Sequence, residues 1–320
     1  MSQFIPTECP YPECDRTEPF RYQFRGAYTR KVDGRSVPRV QCLGCKRRFS
    51  AQTFRVDYRL KRPDLVVPIF ELLTSKVTLR QVASMHQVNL KTIAHRLRLL
   101  GAQAKAVHEY ICRTQDVKLG EKAPFVFDEL ETFEVSKIHG PLTVPVVMDG
   151  KTWFIVHAEV GTMAARRKLP DAPAREHQSN LVVERCLKRV KELVSGACTP
   201  HFVSDRKQSY VMLLRQIFPQ YAHLRVSSKA PRVKHNPMFP INNLFAQMRD
   251  GLSRLVRPNW AHSKRRERLV DHLWIYVVYR NYVREITRDC LKESSASALG
   301  ILPRRLTVKE VLTLRGRIAL

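Results

Sequence analysis

The chain has 320 residues and carries 56 Lys plus Arg against 29 Asp plus Glu, which gives a formal net charge of +27 and a pI near 10.2. This charge predicts a polyanionic partner, and nucleic acid is the first candidate because phosphate contacts release counterions; an anionic membrane surface is the weaker alternative. The sequence has no run of about 18 apolar residues and begins without the charged and apolar regions of a signal peptide, which argues against a membrane-spanning protein and favours a cytoplasmic one.

Four cysteines near the start occur as two closely spaced pairs. Cys9 and Cys14 form a C-x4-C pair, and Cys42 and Cys45 form a C-x2-C pair. Each pair can direct two thiolates at one tetrahedral ion, so we predict a structural Zn²⁺ site in a small β zinc ribbon over residues 1–58. A module this small and polar needs the metal in order to fold. The alternative is four unrelated reduced cysteines.

Residues 60–112 form a predicted helical domain, because apolar residues recur there at helical spacing. Thr78 is expected to cap one short helix and Asn89 a second one through Leu100, with Gly101 where a helix stop is expected. Two short helices joined by a tight turn predict a helix-turn-helix DNA-binding domain, with a packing unit that makes no DNA contact as the alternative. The residues predicted to contact DNA are Asn89, Lys91, Thr92, His95, Arg96 and Arg98.

Residues 120–290 show strand patterns that alternate with amphipathic helices, which predicts a mixed α/β sheet. Asp128 in FVFDELETF and Asp205 in HFVSDRKQSY each follow an apolar run. Two carboxylates at strand ends suit Mg²⁺ or a similar hard cation, because such ions prefer oxygen ligands. Simple turn or capping aspartates are the alternative. Residues 291–320 are predicted as a C-terminal tail without a chemical signal.

Basic residues accumulate after Asp205, and no further Asp or Glu occurs before Asp250. A proline-containing loop and the helix after it carry many of these cations, which we predict to contact phosphates; a solvated basic face is the alternative. The predicted phosphate contacts are Lys229, Arg232, Lys234, Arg249, Arg254 and Arg257.

The order of these motifs resembles that of bacterial insertion-sequence transposases, which begin with a zinc ribbon and a helix-turn-helix and continue with an RNase H-like DDE domain. The resemblance rests on CLGCKRRFS, TLRQVASMHQVNLKTIAHRL, DELETF, VSDRKQSY and INNLFAQMRDGLSRL. It implies a multidomain protein with an α/β RNase H-like catalytic domain, in which Asp128 is the first acid and Asp205, followed by Tyr210, is the second. It also implies structural Zn²⁺, catalytic Mg²⁺ or Mn²⁺, double-stranded DNA as partner, a homo-oligomer on DNA and a nucleoid-associated location in the cytoplasm.

The third acid of this family departs from the pattern. The resemblance places it seven residues before Arg249, where this chain has Asn242. An amide oxygen binds a divalent cation more weakly than a carboxylate does. Asp250 lies too far along the helix to replace it. Glu129 points to the other face of an extended strand but could contribute if the strand ends there. His235 in the preceding loop is a candidate nitrogen ligand, which would suit Mn²⁺ better than Mg²⁺.

The sequence therefore predicts a transposase that binds transposon ends and cleaves and transfers DNA strands. The alternative is a transposase-derived DNA-binding protein or regulator whose catalysis has decayed. A zinc-ribbon transcription regulator that shares only the N-terminal modules would explain the later strands poorly.

Overall fold

The computed structural model describes residues 4–314 apart from residues 12, 15–19, 32, 116–118, 121–122, 168–174, 195–197, 232, 257–260 and 287–291. The predicted phosphate contacts Arg232 and Arg257 therefore lie outside the described residues.

The N-terminal module is a three-stranded antiparallel sheet with a small core of its own. Its strands are β1 (Tyr22–Thr29), β2 (Ser36–Cys42) and β3 (Arg48–Phe49), in the order β1-β2-β3. Among the described residues of the module, five buried ones form its core, and three of them are thiols: Cys9, Cys14, Val40, Cys42 and Phe49. Because so few apolar side chains are buried, the module depends on its cysteine cluster for stability.

Three helices follow, α1 (Val66–Leu73), α2 (Leu79–Met85) and α3 (Leu90–Thr114). The Thr78 hydroxyl accepts a hydrogen bond from the backbone N–H of Gln81 (3.3 Å), and the Asn89 side chain accepts one from that of Lys91 (2.8 Å). Both predicted N-caps are confirmed, because each side chain satisfies a backbone donor that the first helical turn leaves unpaired.

The second sheet has its strands in the order β6-β5-β4-β8-β9, with β7 paired to β5. Strands β4, β5 and β6 are antiparallel to one another, whereas β4, β8 and β9 are parallel, so the predicted mixed α/β sheet is confirmed. The strands are β4 (Phe125–Phe133), β5 (Pro141–Asp149), β6 (Ile155–Ala158), β7 (Gly161–Thr162), β8 (His201–Asp205) and β9 (Ala222–Val226).

Helices pack against this sheet and against α1 and α3. Helix α4 contacts β5, α6 contacts β4, and α7 contacts both β6 and α3. Every residue of β5 is buried, as expected for a strand inside a covered sheet. These helices are α4 (Ser179–Leu193), α5 (Gln208–Ile217), α6 (Phe239–Gly251), α7 (Arg266–Val278), α8 (Ser295–Ala298) and α9 (Val308–Thr313).

One hydrophobic core extends from Val56 to Leu312 and joins the helical segment, the sheet and the C-terminal helices. Helix α9 packs against α1 and α3, and Val311 and Leu312 are buried there. The described part of the predicted tail is thus packed into the body of the protein. Within the described ranges, no helix combines the length and apolar character needed to cross a membrane.

The predicted helix stop at Gly101 is wrong, because α3 continues to Thr114. At the crossing of α3 and α7, a Cβ on Gly101 would lie 2.6 Å from the Cα of Asp271. The glycine is therefore present because the two backbones approach closely at this point, and its role is packing between helices.

Candidate functional site

Asp128 and Asp205 lie at matching positions of two neighbouring parallel strands. Strands β4 and β8 pair through Phe125 with Phe202 and through Val126 with Val203. Two residues further along each strand come Asp128 and Asp205. Strand β8 ends there, whereas β4 continues to pair with β5 as far as Phe133. The two carboxylates therefore lie where β4 and β8 separate.

The electrostatic environment of Asp128 includes the charge of the second aspartate, Asp205. Burial raises the pKa of Asp128 to about 7, and the charges of Asp205 and Glu129 add to the rise. A hydrogen bond from the backbone N–H of Glu129 to Asp128 Oδ1 (2.8 Å) and the charge of Lys207 act in the opposite direction. A divalent cation would relieve this unfavourable concentration of negative charge, since it stabilises the ionised carboxylates.

The carboxylate of Asp205 is oriented by the turn that follows β8. Its Oδ1 accepts a hydrogen bond from the backbone N–H of Lys207 (2.9 Å), two residues later, just before α5 begins. This local arrangement explains why an aspartate can end the strand whether or not it binds a metal, because Asx turns have the same geometry. Its proximity to Asp128 is what favours a role beyond the turn.

Glu129 lies on the opposite face of β4 and belongs to a cluster that sequence reasoning missed. Its Oε1 accepts hydrogen bonds from the hydroxyls of Thr143 (2.9 Å) and Ser179 (2.6 Å). Its Oε2 accepts one from the Tyr210 hydroxyl (2.8 Å) and forms an ion pair with Lys207. Burial acts to raise the pKa of Glu129, but the hydrogen bonds from Lys207, Ser179 and Tyr210 bring it below its usual range.

This cluster ties together four elements behind the two aspartates. Thr143 belongs to β5, Ser179 to α4 and Tyr210 to α5, while Lys207 lies between β8 and α5. Both oxygens of Glu129 are occupied by donors, so Glu129 is not placed to act as the third acid. The spacing D-x-K-x-x-Y after β8 was the available sequence signal, because it brings Lys207 and Tyr210 back towards β4.

The position predicted for the third acid shows no link to the aspartates. The side-chain amide of Asn242 donates to the backbone carbonyl of Met238 within α6 (3.0 Å), and among the described residues no hydrogen bond joins it to Asp128 or Asp205. Helix α6 nevertheless packs against β4, the strand of Asp128. Asn242 is therefore on an element that borders the site, with its amide nitrogen held by its own helix.

Neither of the other ligand candidates completes the site. Asp250 is 83% exposed and pairs with Lys76 (3.2 Å), and His235 is exposed in the loop before α6. In the described part of the chain, the cysteine quartet is the only group of three or more His, Cys, Asp or Glu residues whose ligand atoms all lie within 4.8 Å of one another. The described residues thus give a pair of carboxylates where β4 and β8 separate, with Asp205 at the end of β8 and Asp128 within β4.

The four predicted cysteines come together at the start of the chain. The Sγ atoms of Cys9 and Cys45 are 3.7 Å apart, and those of Cys14 and Cys42 are 3.6 Å apart. Four sulfurs at the usual Zn–S distance are separated by about 3.8 Å in a tetrahedron, so the cluster fits Zn²⁺. Burial raises the pKa of Cys9 and Cys14; at Cys42 burial is outweighed by the backbone N–H groups of Cys45 and Gly44, and its pKa is lowered.

The predicted DNA-facing surface of α3 needs one correction. Lys91, His95 and Arg98 are exposed, and Asn89 is an exposed N-cap. Arg96 is only 5% exposed, and burial lowers its pKa. Its predicted outward position is wrong because it lies on the same helical face as the buried residues three positions before it and four after it. Thr92 is half-buried.

The basic residues after β9 differ in their accessibility. Lys229 and Lys234 are exposed in the loop before α6, whereas Arg249 is half-buried on that helix. Arg254 is also half-buried, and burial lowers its pKa to about 10 against the opposing charge of Asp271. The two lysines are thus the most accessible of the predicted phosphate contacts that the structure describes.

The chain matches no protein-family model and no curated protein. Among solved structures, the catalytic domain of Mos1 mariner transposase aligns at 12% identity and a TM-score of 0.30, over 57% of this chain and 85% of that chain. The same domain with raltegravir and Mn aligns at 10% identity and a TM-score of 0.30, over 57% and 86% of the two chains. The Mos1 strand transfer complex aligns at 10% identity and a TM-score of 0.26, over 63% and 72%. Likenesses this distant support no functional conclusion. The function is therefore argued from the chain's own residues.

Proposed function

We propose that this protein is a DNA transposase whose RNase H-like domain holds a divalent metal ion, Mg²⁺ or Mn²⁺, between Asp128 and Asp205. The observation that supports this most directly is the pairing of the two aspartates at the point where β4 and β8 separate. A strand order in which β4 has an antiparallel neighbour on one side and a parallel one on the other is consistent with the RNase H-like assignment.

The chemistry requires no change of oxidation state. Cleavage adds water to a phosphodiester and leaves a 3′-hydroxyl. In strand transfer this hydroxyl attacks a phosphate of the target DNA, and the 3′-hydroxyl of the broken target strand is released. A bound divalent cation supplies Lewis-acid stabilisation of the phosphate charge in both reactions. The backbone N–H groups of Glu129 and Lys207 orient the two aspartates, and the Glu129 cluster fixes the elements that carry them.

DNA binding is assigned to the zinc ribbon, the helix-turn-helix and the basic segment before α6. The net charge of +27 favours a polyanion as partner. On α3, the exposed Lys91, His95 and Arg98 are available to contact a DNA groove, while Lys229 and Lys234 suit phosphate contacts. Because two transposon ends must be joined, the active form is proposed to be a homo-oligomer assembled on DNA at the nucleoid.

A second function is favoured by Asn242. Its amide nitrogen is engaged within α6, and no third carboxylate joins Asp128 and Asp205 among the described residues. A catalytically decayed transposase that retains DNA binding would have this arrangement, because a two-carboxylate site binds divalent cations more weakly than a three-carboxylate site.

Strand cleavage and joining on DNA that flanks the gene separates the two proposals. The purified protein is incubated with Mg²⁺ or Mn²⁺, and Asp128→Ala, Asp205→Ala and the exposed-acid control Asp250→Ala are compared with wild type. Cleavage by wild type and Asp250→Ala, but by neither of the other variants, is expected of an active transposase. Equal rates in all four proteins would reject the metal-site assignment.

The pair Asn242→Glu and Asn242→Gln then tests decay at the third position. The two substitutions have the same length, but only glutamate adds a carboxylate. An inert wild type that gains cleavage through Asn242→Glu and not through Asn242→Gln would establish the decayed alternative. Absence of inverted repeats around the gene would point in the same direction.

A further inference from the structure

A basic cavity of about 510 Å³ lies in the N-terminal module, and neither the four cysteines nor a residue of α3 lines it. Its walls come from the sheet β1-β2-β3 and from the segment after it, which contains a short 3₁₀ helix over Ala51–Phe54. Four arginines line it, together with one acid: Arg30, Arg39, Arg48, Arg59 and Asp57. The cavity thus concentrates positive charge on a module for which the sequence predicted zinc binding but no particular site of DNA contact.

Three of the four arginines have their charge available. Asp57 forms ion pairs with Arg55 (2.7 Å) and with Arg30 (3.4 Å). Among the described residues, no ion pair involves the other three arginines of the cavity, and all three are exposed: Arg39, Arg48 and Arg59. Since Asp57 is the only acid among the described residues that line the cavity, and it is already paired, the cavity attracts an anion.

Two of these guanidinium groups are held over tyrosine rings. Arg39 lies 5.0 Å from the ring centroid of Tyr28, and Arg59 lies 5.1 Å from that of Tyr58. Arg59 also has a φ of 58°, in the left-handed region that few residues other than glycine adopt. Cation–π contacts restrict the position of a guanidinium group and leave its N–H donors available for phosphate oxygens.

We propose that this arginine cavity binds the phosphodiester backbone of duplex DNA without reading its sequence. One face of each tyrosine ring is already covered by arginine, so that face is not an open platform on which unpaired bases could stack, as single-strand binding requires. Three unpaired guanidinium groups instead suit phosphates, which position a protein on DNA while base contacts elsewhere specify the site. The inference rests on the DNA binding of the proposed function and is independent of catalysis and of Asn242.

The test measures how the affinity of the full-length, zinc-loaded protein for a fluorescent mixed-sequence duplex depends on KCl concentration. The variant Arg39→Gln/Arg48→Gln/Arg59→Gln is compared with Arg113→Gln/Arg185→Gln/Arg215→Gln, which removes the same charge from exposed positions on α3, α4 and α5. We expect the first variant to flatten the slope of log K against log [KCl] by about one per arginine, hence about three. The control should keep the wild-type slope, and a second duplex of unrelated sequence should give the same loss.

An unchanged slope in the cavity variant, or an equal change in the control, would overturn the inference while leaving DNA binding by α3 intact. No binding by wild type would instead overturn the DNA-binding part of the proposed function as well. A larger loss on single-stranded than on duplex DNA would reject the duplex assignment. Arg→Lys replacements at the same three positions keep the charge and should retain the slope, which separates a lost contact from a lost fold when zinc content is matched.

Discussion

The substitution Asp128→Asn should stabilise the metal-free protein at neutral and alkaline pH. In the folded chain burial raises the pKa of Asp128 to about 7, from an ordinary value of 3.8. Between these two values the folded state binds more protons than the unfolded state, so the free energy of unfolding falls as pH rises. At about 1.4 kcal/mol per pH unit, ionised Asp128 costs up to about 4 kcal/mol above pH 7.

Asparagine has nearly the same shape as aspartate but carries no charge, so the variant avoids this cost. We expect its free energy of unfolding to exceed that of wild type. The difference between the two proteins should grow from about pH 4 to about pH 7 and stay constant above pH 7. Urea denaturation in the presence of EDTA across this range measures the difference. The exposed Asp250, 83% accessible, supplies the control, since Asp250→Asn should change stability by less than about 0.5 kcal/mol.

Magnesium provides the second half of this experiment. Bound Mg²⁺ should stabilise wild type according to its concentration and leave Asp128→Asn little changed, because the variant lacks one of two carboxylate ligands. Parallel pH curves for wild type and Asp128→Asn without metal would refute the buried, charge-repelled state of Asp128. Equal stabilisation of both proteins by Mg²⁺ would refute its role as a ligand.

Three further perturbations test the surrounding structure. Lys207→Met should lower the free energy of unfolding, measured by urea denaturation, by about 2 kcal/mol, because Glu129 then stays buried with neutral donors only; this figure is discounted for the 37% exposure of Lys207. Glu129→Gln should destabilise the Lys207→Met protein less than it destabilises wild type, and additive losses would contradict the coupling of the two residues. Cys42→Ser should abolish stoichiometric zinc binding and open the N-terminal module to limited proteolysis while the sheet of β4 to β9 stays protected, and retention of the metal would contradict the four-thiolate site. Gly101→Ala should destabilise the protein by about 1–3 kcal/mol in spite of the better helix propensity of alanine, since the added Cβ would lie 2.6 Å from the Cα of Asp271, and a more stable variant would show that α3 and α7 can separate at no cost.

The features that the sequence predicted well are those encoded by neighbouring residues. The N-caps at Thr78 and Asn89 follow from side chains that reach a backbone N–H two or three residues away. The strand end at Asp205 follows from an apolar run closed by an acid. The end expected at Asp128 is wrong, because β4 continues to Phe133, and the parallel pairing of β4 with β8 brings the two acids together. The cysteine spacing likewise predicts each half of the zinc site, while contacts between the two pairs bring the halves together.

Contacts between distant segments decided the rest. Gly101 was expected at a helix end, but α7 packs along α3 and makes this position part of a helix interface. Arg96 was expected outside but is buried. Glu129 meets donors from β5, α4, the loop after β8 and α5, a combination that no local pattern predicts.

Local hydrogen bonds and side-chain periodicity therefore determined the helices and strands of this protein and the positions of its acids along them. Which faces became interfaces, and which charges were buried with partners, depended on contacts between residues far apart in the chain and so required the tertiary structure.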